Sequence, residues 1–247
     1  MLILLIFITG LIIGSFLNVC IYRLPQNQSI VTPPSRCMSC NTRLKPWDLI
    51  PVISYLFSRG HCRYCGTAFS SRYALVELLT ASLFVWCLEV FGPSPELVKG
   101  LILTAFFIVI TFIDYDHQLI LDKVLLWLAG AGVVINLWLG SVGILDMLIA
   151  GLLGGGLLLI IALVSGGGMG GGDIKFAGAL GLCFGWQYLL LTLLLAFILG
   201  GVGGAVLLIS KIKGRKDFIP FGPFIALGAL FSLLYGNNII TWYVGNL

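Results

Sequence analysis

Two sets of residues in this sequence have types and spacings suited to chemistry. The first is acidic. "FIDYDHQLILD" supplies Asp114, Asp116 and Asp122, and "SGGGMGGGDIKF" (residues 165–176) supplies Asp173 directly after a glycine run. Each glycine costs a helix about 1 kcal/mol relative to alanine, and an ionised carboxylate is expensive near lipid. A chain that accepts both costs at one place has a use for them. Two carboxylates brought together share a proton, because the second ionisation is opposed by the first charge. The ionised member then activates water as a general base, and the neutral member donates to a carbonyl oxygen. That is peptide hydrolysis with neither a metal nor a nucleophilic side chain. A peptide is cut in extended form, and glycines beside the acid leave room for its backbone.

Plainer roles compete for the same residues. Asp122, just before "KVLLWL", is placed to cap a helix N-terminus, and Asp173 could cap the helix that follows it. Asp116 could be solvated, and Gly170–Gly172 could serve close helix packing. His117 with Asp114 and Asp116 could hold a divalent metal. The glycine run lacks the G-x-x-x-x-G-K-[ST] pattern of a phosphate loop. A serine triad would have to draw on His61 or His117, the two histidines of the chain.

The second set is sulfur. "CMSC" holds Cys37 and Cys40, "CRYC" holds Cys62 and Cys65, and twenty-one residues separate the pairs. This is close to the spacing of structural zinc sites. Four thiolates close a tetrahedron and leave no open position, so the metal is architectural. Disulfides are the alternative, but the topology below puts this loop in a reducing compartment. His61 abuts Cys62 and reads as a loop residue. Cys20, Cys87 and Cys183 fall in apolar stretches, where cysteine acts as a small hydrophobe.

The elements that carry these residues are membrane helices. Hydrophobic residues are 59% of the chain, charged residues 10%, and the mean hydropathy is +1.08. A soluble domain is nearer 25% charged, so the composition is that of an integral membrane protein. About eight apolar runs approach the roughly 20 residues that a spanning helix needs: Leu2–Tyr22, Tyr73–Phe91, Leu97–Ile113, Lys123–Leu139, Ile144–Val164, Ile174–Trp186, Gln187–Ser210 and Ile219–Tyr235. The sixth is the shortest. The fold class is therefore all-α, with a small zinc-stapled loop between the first two helices. We read 1–22 as the first helix, 23–72 as the loop domain and 73–247 as the catalytic bundle. The loop carries Pro25, Pro33, Pro34, Pro46 and Pro51, which suits turns rather than long helix. A segment of that size needs a staple, which the cysteines supply. No internal repeat stands out. The first run lacks a basic n-region and a small-residue cleavage site, so we expect a retained span.

Orientation follows the positive charge. Arg23–Arg72 holds seven of the fourteen Lys and Arg, "KIKGRKD" (211–217) adds four, and Lys123 and Lys175 fall on the same side. Only Lys99 lies opposite. That face is expected in the cytoplasm, with the cysteine loop and the aspartates at it and both termini outside. The net charge of +4 is thus a topology signal, and nucleic acid is not expected as a partner.

Taken together, the motifs resemble those of the type IV prepilin peptidases, which are membrane aspartyl proteases. The resemblance is carried by "GSFLNVCIYRLP", the paired "CMSC" and "CRYC", "RYALVELLT", "FIDYDHQLILD", "GMGGGDIK" and "IPFGPFIALGAL". It implies that Asp114, leading the D-x-D-H segment, and Asp173 of the G-x-G-D motif form the catalytic pair. It implies prepilin or pseudopilin substrates, cut just after a glycine at the cytoplasmic edge of a bacterial plasma membrane. It further implies N-methylation of the new terminus with S-adenosylmethionine, an activity linked to the cysteine loop. Leu121 stands where the family commonly has proline, a departure that concerns the shape of the loop. Pro220 and Pro223 match the family's "PFGPF" element and also read as helix-start prolines. A transporter or proton relay built on intramembrane acids is the alternative from another class. It needs charge deep in the spans, whereas Glu77, Glu89 and Asp146 lie nearer the ends.

Overall fold

The computed structural model describes residues 1–211, 214 and 219–245, and among these it is all-helical with no strands. Of the basic cluster at 211–217, Lys213, Arg215 and Lys216 lie outside the described residues. The helices are α1 (Leu2–Arg23), α2 (Ile53–Phe57), α3 (Arg72–Phe91), α4 (Pro95–His117), α5 (Asp122–Leu139), α6 (Ile144–Val164), α7 (Gly171–Phe184), α8 (Trp186–Ile209) and α9 (Gly222–Gly245). A single 3₁₀ turn covers Pro46–Leu49. Two compact units emerge, Met1–Leu97 and Val98–Leu247.

Among the described residues, seven helices, all but α2 and α7, are long and apolar enough to cross a membrane. The chain is a multi-pass membrane protein. Most of their bulky side chains point outward, such as Leu126, Leu152 and Ile209. In water that surface would be untenable; in lipid it is the expected face. Small residues bring the backbones together where dispersion, rather than the hydrophobic effect, drives packing. On α1, Gly10 and Gly14 lie against Ala81 and Glu77 of α3, so close that an added Cβ would fall 2.5 and 2.7 Å from their Cα atoms. In the second unit, Gly154 of α6 meets the Ala177 carbonyl of α7 in the same way, at 2.5 Å.

The sixth expected span, Ile174–Trp186, is realised as α7 with shifted bounds. It has 14 residues, about 21 Å at 1.5 Å per residue against a hydrocarbon core near 30 Å. It is a short helix cased in protein: Phe176, Ala177, Leu180 and Cys183 have essentially no exposure. A helix that stops inside a bundle leaves carbonyls without partners. Here Asn136 of α5, itself fully buried, donates from Nδ2 to the Leu182 and Cys183 carbonyls at 3.0 Å each. Its Oδ1 accepts from Lys99 Nζ at 2.7 Å and from Ser141 Oγ at 3.0 Å. Gly185, at φ 75°, makes the joint to α8. Asp146, in the first turn of α6, then accepts the Trp186 N–H at 3.0 Å. Groups on both sides of the break thus find partners on neighbouring helices.

Candidate active site and metal centre

The acidic site lies in the second unit. Asp114 is in the last turn of α4 and Asp173 in the first turn of α7, and both are buried, at 5% and 6% exposure. Burial of two carboxyls at element ends, where chain reversals would offer them solvent, is the signature that a solvated role would lack. The like charge of Asp114 acts on Asp173, so the two sit within electrostatic reach. One residue joins their surroundings. Ile120, buried in the loop between α4 and α5, has its Cβ 2.9 Å from where a Gly172 Cβ would stand and its Cδ1 3.1 Å from the same position on Gly222. A Cβ on Gly222, at the start of α9, would also fall 2.5 Å from Asp114 Oδ2. The site is therefore walled by glycine backbone on two sides. Asp114 Oδ2 is buried and has no hydrogen-bond partner among the described residues. An orphaned carboxyl oxygen in such a place is costly unless a proton, a water or a substrate answers it.

The glycines divide their labour. Gly166 and Gly167, at φ 66° and 93°, end α6 in a conformation that side chains disfavour. Gly172 packs on Ile120, so the close-packing role holds for that position. Gly171 has open space where a side chain would be. Gly170 is the N-cap of α7, and its N–H faces the Asp173 carboxyl from there. Asp173 thus occupies the third helical position, where an acid can satisfy the cap backbone while facing the site.

Asp122 is not a cap. Leu121 holds the N-cap position of α5, and no side chain closes it. Asp122 instead forms an exposed ion pair with Lys175 of α7, with Nζ 2.8 Å from each oxygen. Asp116 and His117 are exposed at the end of α4. Among the described residues, only the cysteines form a group of three or more ligands arranged to hold a metal, so Asp114, Asp116 and His117 are not gathered for one.

The cysteine site lies in the first unit. The four Sγ atoms of Cys37, Cys40, Cys62 and Cys65 all fall within 4.8 Å of one another, with Cys37 and Cys65 at 3.8 Å. No pair is bonded. A tetrahedron with metal–sulfur bonds of about 2.3 Å has edges of about 3.8 Å, so the cluster has the size of a metal cage. The cage is built twice over from one local pattern that the sequence reading missed. The Cys37 N–H donates to the Thr42 carbonyl at 3.0 Å and the Asn41 N–H returns to the Cys37 carbonyl at 2.9 Å. Cys62, Thr67 and Gly66 repeat this at 2.8 and 2.9 Å. Asn41 and Gly66 both have positive φ, at 56° and 74°. Each second cysteine has a threonine two residues on, with Oγ1 3.3 Å from Cys40 Sγ and 3.4 Å from Cys65 Sγ. The legible signal was C-x-x-C-[NG]-T, present at 37–42 and 62–67. The Thr67 hydroxyl and N–H draw the Cys65 thiol down to about 6. Backbone N–H groups of Cys40 and Ser39 lower Cys37 likewise. Both effects favour thiolates, the form that binds metal.

Comparison with known families and proteins fits this two-part arrangement. The "Bacterial Peptidase A24 N-terminal domain" matches residues 8–91, inside the first unit. The "Type IV leader peptidase family" matches residues 101–205, inside the second, and so takes in both aspartates. A protein of Aeromonas salmonicida (strain A449) named prepilin leader peptidase/N-methyltransferase is 35% identical over 98% of this chain and 94% of its own length. The chain belongs to the type IV leader peptidase family. Relatives of the same name in Bacillus subtilis (strain 168) and Pseudomonas aeruginosa are each 34% identical, covering 97% and 95% of this chain and 96% and 91% of their own. No solved structure gives a significant match. As a leader peptidase family member the chain is an enzyme, and the transporter or proton-relay alternative has no support.

Proposed function

We propose that this family member removes the leader from prepilins or pseudopilins, with Asp114 and Asp173 as the catalytic pair. The observation that carries the assignment is the buried pair of carboxyls under glycine backbone, one with an unanswered oxygen. The pair holds one proton between its members. The ionised carboxylate takes a proton from a water molecule, and that oxygen adds to the scissile carbonyl carbon. The protonated carboxyl donates to the carbonyl oxygen as negative charge gathers there. The C–N bond then breaks, the departing amine leaves with a proton from the pair, and the shared proton is restored. Gly170 and Gly222 keep side chains away from the two carboxyls, since a Cβ would fall 3.1 Å from Asp173 Oδ2 at the first and 2.5 Å from Asp114 Oδ2 at the second.

The cysteine cage holds structural Zn²⁺ and stiffens the 23–72 loop domain between the first helix and the 73–247 catalytic bundle. No chemistry passes through the metal, because four thiolates occupy its coordination. The uncovered amine is then N-methylated. S-adenosylmethionine, when bound, would supply the methyl group for that amine. The partners are the preprotein and the bilayer. The loop and the aspartates face the cytoplasm of a bacterial plasma membrane, with both termini outside, an orientation that the distribution of basic residues supports. Incubating the purified enzyme with a synthetic prepilin leader peptide, with and without methyl donor, and weighing the products by mass spectrometry tests this. The expected products are a cut after the leader glycine and a 14 Da gain only with donor. Intact peptide in both arms contradicts the reading.

A further inference from the structure

The cysteine loop carries one stretch built the wrong way round for water. Trp47, Ile50, Ile53, Leu56 and Phe57 are all exposed, Phe57 at 79%. Ile53, Leu56 and Phe57 stand at i, i+3 and i+4 of α2, so they form one stripe on its surface. Ser54 and Ser58, with Tyr55, instead line the space between the loop and helices α1 and α3. A domain in solvent turns its apolar stripe inward. Neighbouring apolar side chains on an outer face mark a surface that meets lipid or another protein.

The tether of this stretch decides between the two. Helix α3 has 20 residues, about 30 Å of rise, which matches the hydrocarbon thickness of a bilayer. Its first residue, Arg72, therefore marks one boundary. Glu77 lies about 7.5 Å further along the axis, and helical side chains lean back toward the N-terminus. Glu77 is buried, and its Oε2 accepts the Val52 N–H at 2.7 Å. Val52 has φ 60°, a conformation that a β-branched residue keeps only where its surroundings hold it. The bond thus pins Val52 beside the first turns of α3, and Ile50 and Ile53, on either side of it, stay at that level. Leu75 and Leu78 of α3 face outward there as well. The medium at this height is lipid.

Charge agrees with that placement. Of the charged side chains within 43–59, Arg43, Lys45 and Arg59 are exposed. Asp48, the one acid, is turned to the Tyr64 hydroxyl at 2.9 Å and the Arg63 guanidinium at 3.5 Å. Lys45 Nζ lies 5.6 Å from the centre of the Trp47 ring. Tryptophan with basic neighbours is the usual anchor at a membrane surface, and a basic rim draws anionic headgroups.

We infer that residues 46–57 lie in the headgroup–acyl boundary of the bilayer that α1 and α3 span. Trp47, Ile50, Ile53, Leu56 and Phe57 enter the upper acyl chains, and Arg43, Lys45 and Arg59 meet anionic phosphates. The cysteine loop is then seated on the membrane rather than standing clear of it. The inference needs neither the proteolytic nor the methyl-transfer reading.

The test uses the full-length protein in nanodiscs of phosphatidylethanolamine and phosphatidylglycerol, with Phe57 replaced by the photoreactive benzoylphenylalanine. An exposed aromatic residue exchanged for another leaves packing intact, and unchanged circular dichroism checks that it does. Illumination should attach a phospholipid at position 57, read by mass spectrometry of the tryptic peptides. A second readout is Trp47 emission, taken as the difference between wild type and Trp47→Phe. It should lose intensity in phospholipid brominated near the top of the acyl chains. Adducts to protein alone, whether a second copy of this chain or an added prepilin peptide, overturn the inference. So does Trp47 emission that bromine leaves unchanged.

Discussion

In the proposed reading, Asp114 and Asp173 owe their chemistry to what crowds them. Gly222 leaves no room for a Cβ beside Asp114 Oδ2, the gap being 2.5 Å, and Ile120 closes the other side of that position at 3.1 Å. Gly222→Ala must displace either the carboxyl or the isoleucine. Displacements near 1 Å at a reacting group cost up to about 10²-fold, so kcat/KM for leader cleavage should fall about tenfold to hundredfold. Gly156→Ala, at a position with nothing within 4 Å, should leave it unchanged. Equal rates for the two variants would remove Gly222 from the site. A shared proton also fixes the shape of the pH profile. Activity should fall as pH drops and both carboxyls are protonated, leaving no base. It should fall again as pH rises and both are ionised, leaving no acid. A profile with a single limb between pH 4 and 9 would contradict the pairing. The two acids were legible from their glycine and D-x-D-H settings. The role of Asp122 was not: a residue at a helix start reads as a cap, and its ion pair with Lys175 joins positions 53 apart in sequence. Local spacing carries no signal of such a pair.

At the scale of elements, α7 departs most from the spanning helix that hydropathy alone suggests. Its apolar sequence reads like a span, but it has only 14 residues, and its last carbonyls end on Asn136 of α5, level with the first turn of α6. Hydropathy reports the preference of a segment, and a partner from another helix decides where it stops. Asn136→Ala strips the cap from two buried carbonyls and leaves Lys99 and Ser141 without their acceptor. A loss of about 1–3 kcal/mol is expected for such a network, read as a lowered thermal midpoint in detergent. A midpoint within one degree of wild type would show that water or lipid replaces the cap. In the loop, the pairing of cysteines was legible from spacing, whereas the repeated turn shows in the sequence only as the [NG]-T that follows each second cysteine. Its unity lies in backbone, with a left-handed residue after each second cysteine and a threonine next. Cys37→Ser should lower bound zinc below one per chain by elemental analysis. It should also speed amide exchange across 35–68, leaving α5 and α8 unaltered. Full zinc occupancy in that variant would count against the cage.

For the molecule as a whole, the boundary between Met1–Leu97 and Val98–Leu247 falls in the gap between the two family matches, which end at residue 91 and begin at residue 101. The sequence showed the membrane class plainly, because the composition admits no other solvent. It did not show that α1 and α3 form one unit with the loop between them. That unit rests on Gly10 and Gly14, whose meaning depends on which helix they meet. The cysteine cage belongs to the first unit, and the two aspartates to the second.

The central claim is that Asp114 and Asp173 together cut the leader. The most direct measurement is mass spectrometry of a synthetic prepilin leader peptide after incubation with wild type, Asp114→Asn and Asp173→Asn. Each variant should be purified with unchanged circular dichroism and zinc content. The account predicts that each substitution lowers the rate of cleavage by about 10²–10⁴-fold, the range for loss of a positioned acid or base. Cleavage at the wild-type rate by either variant would contradict it.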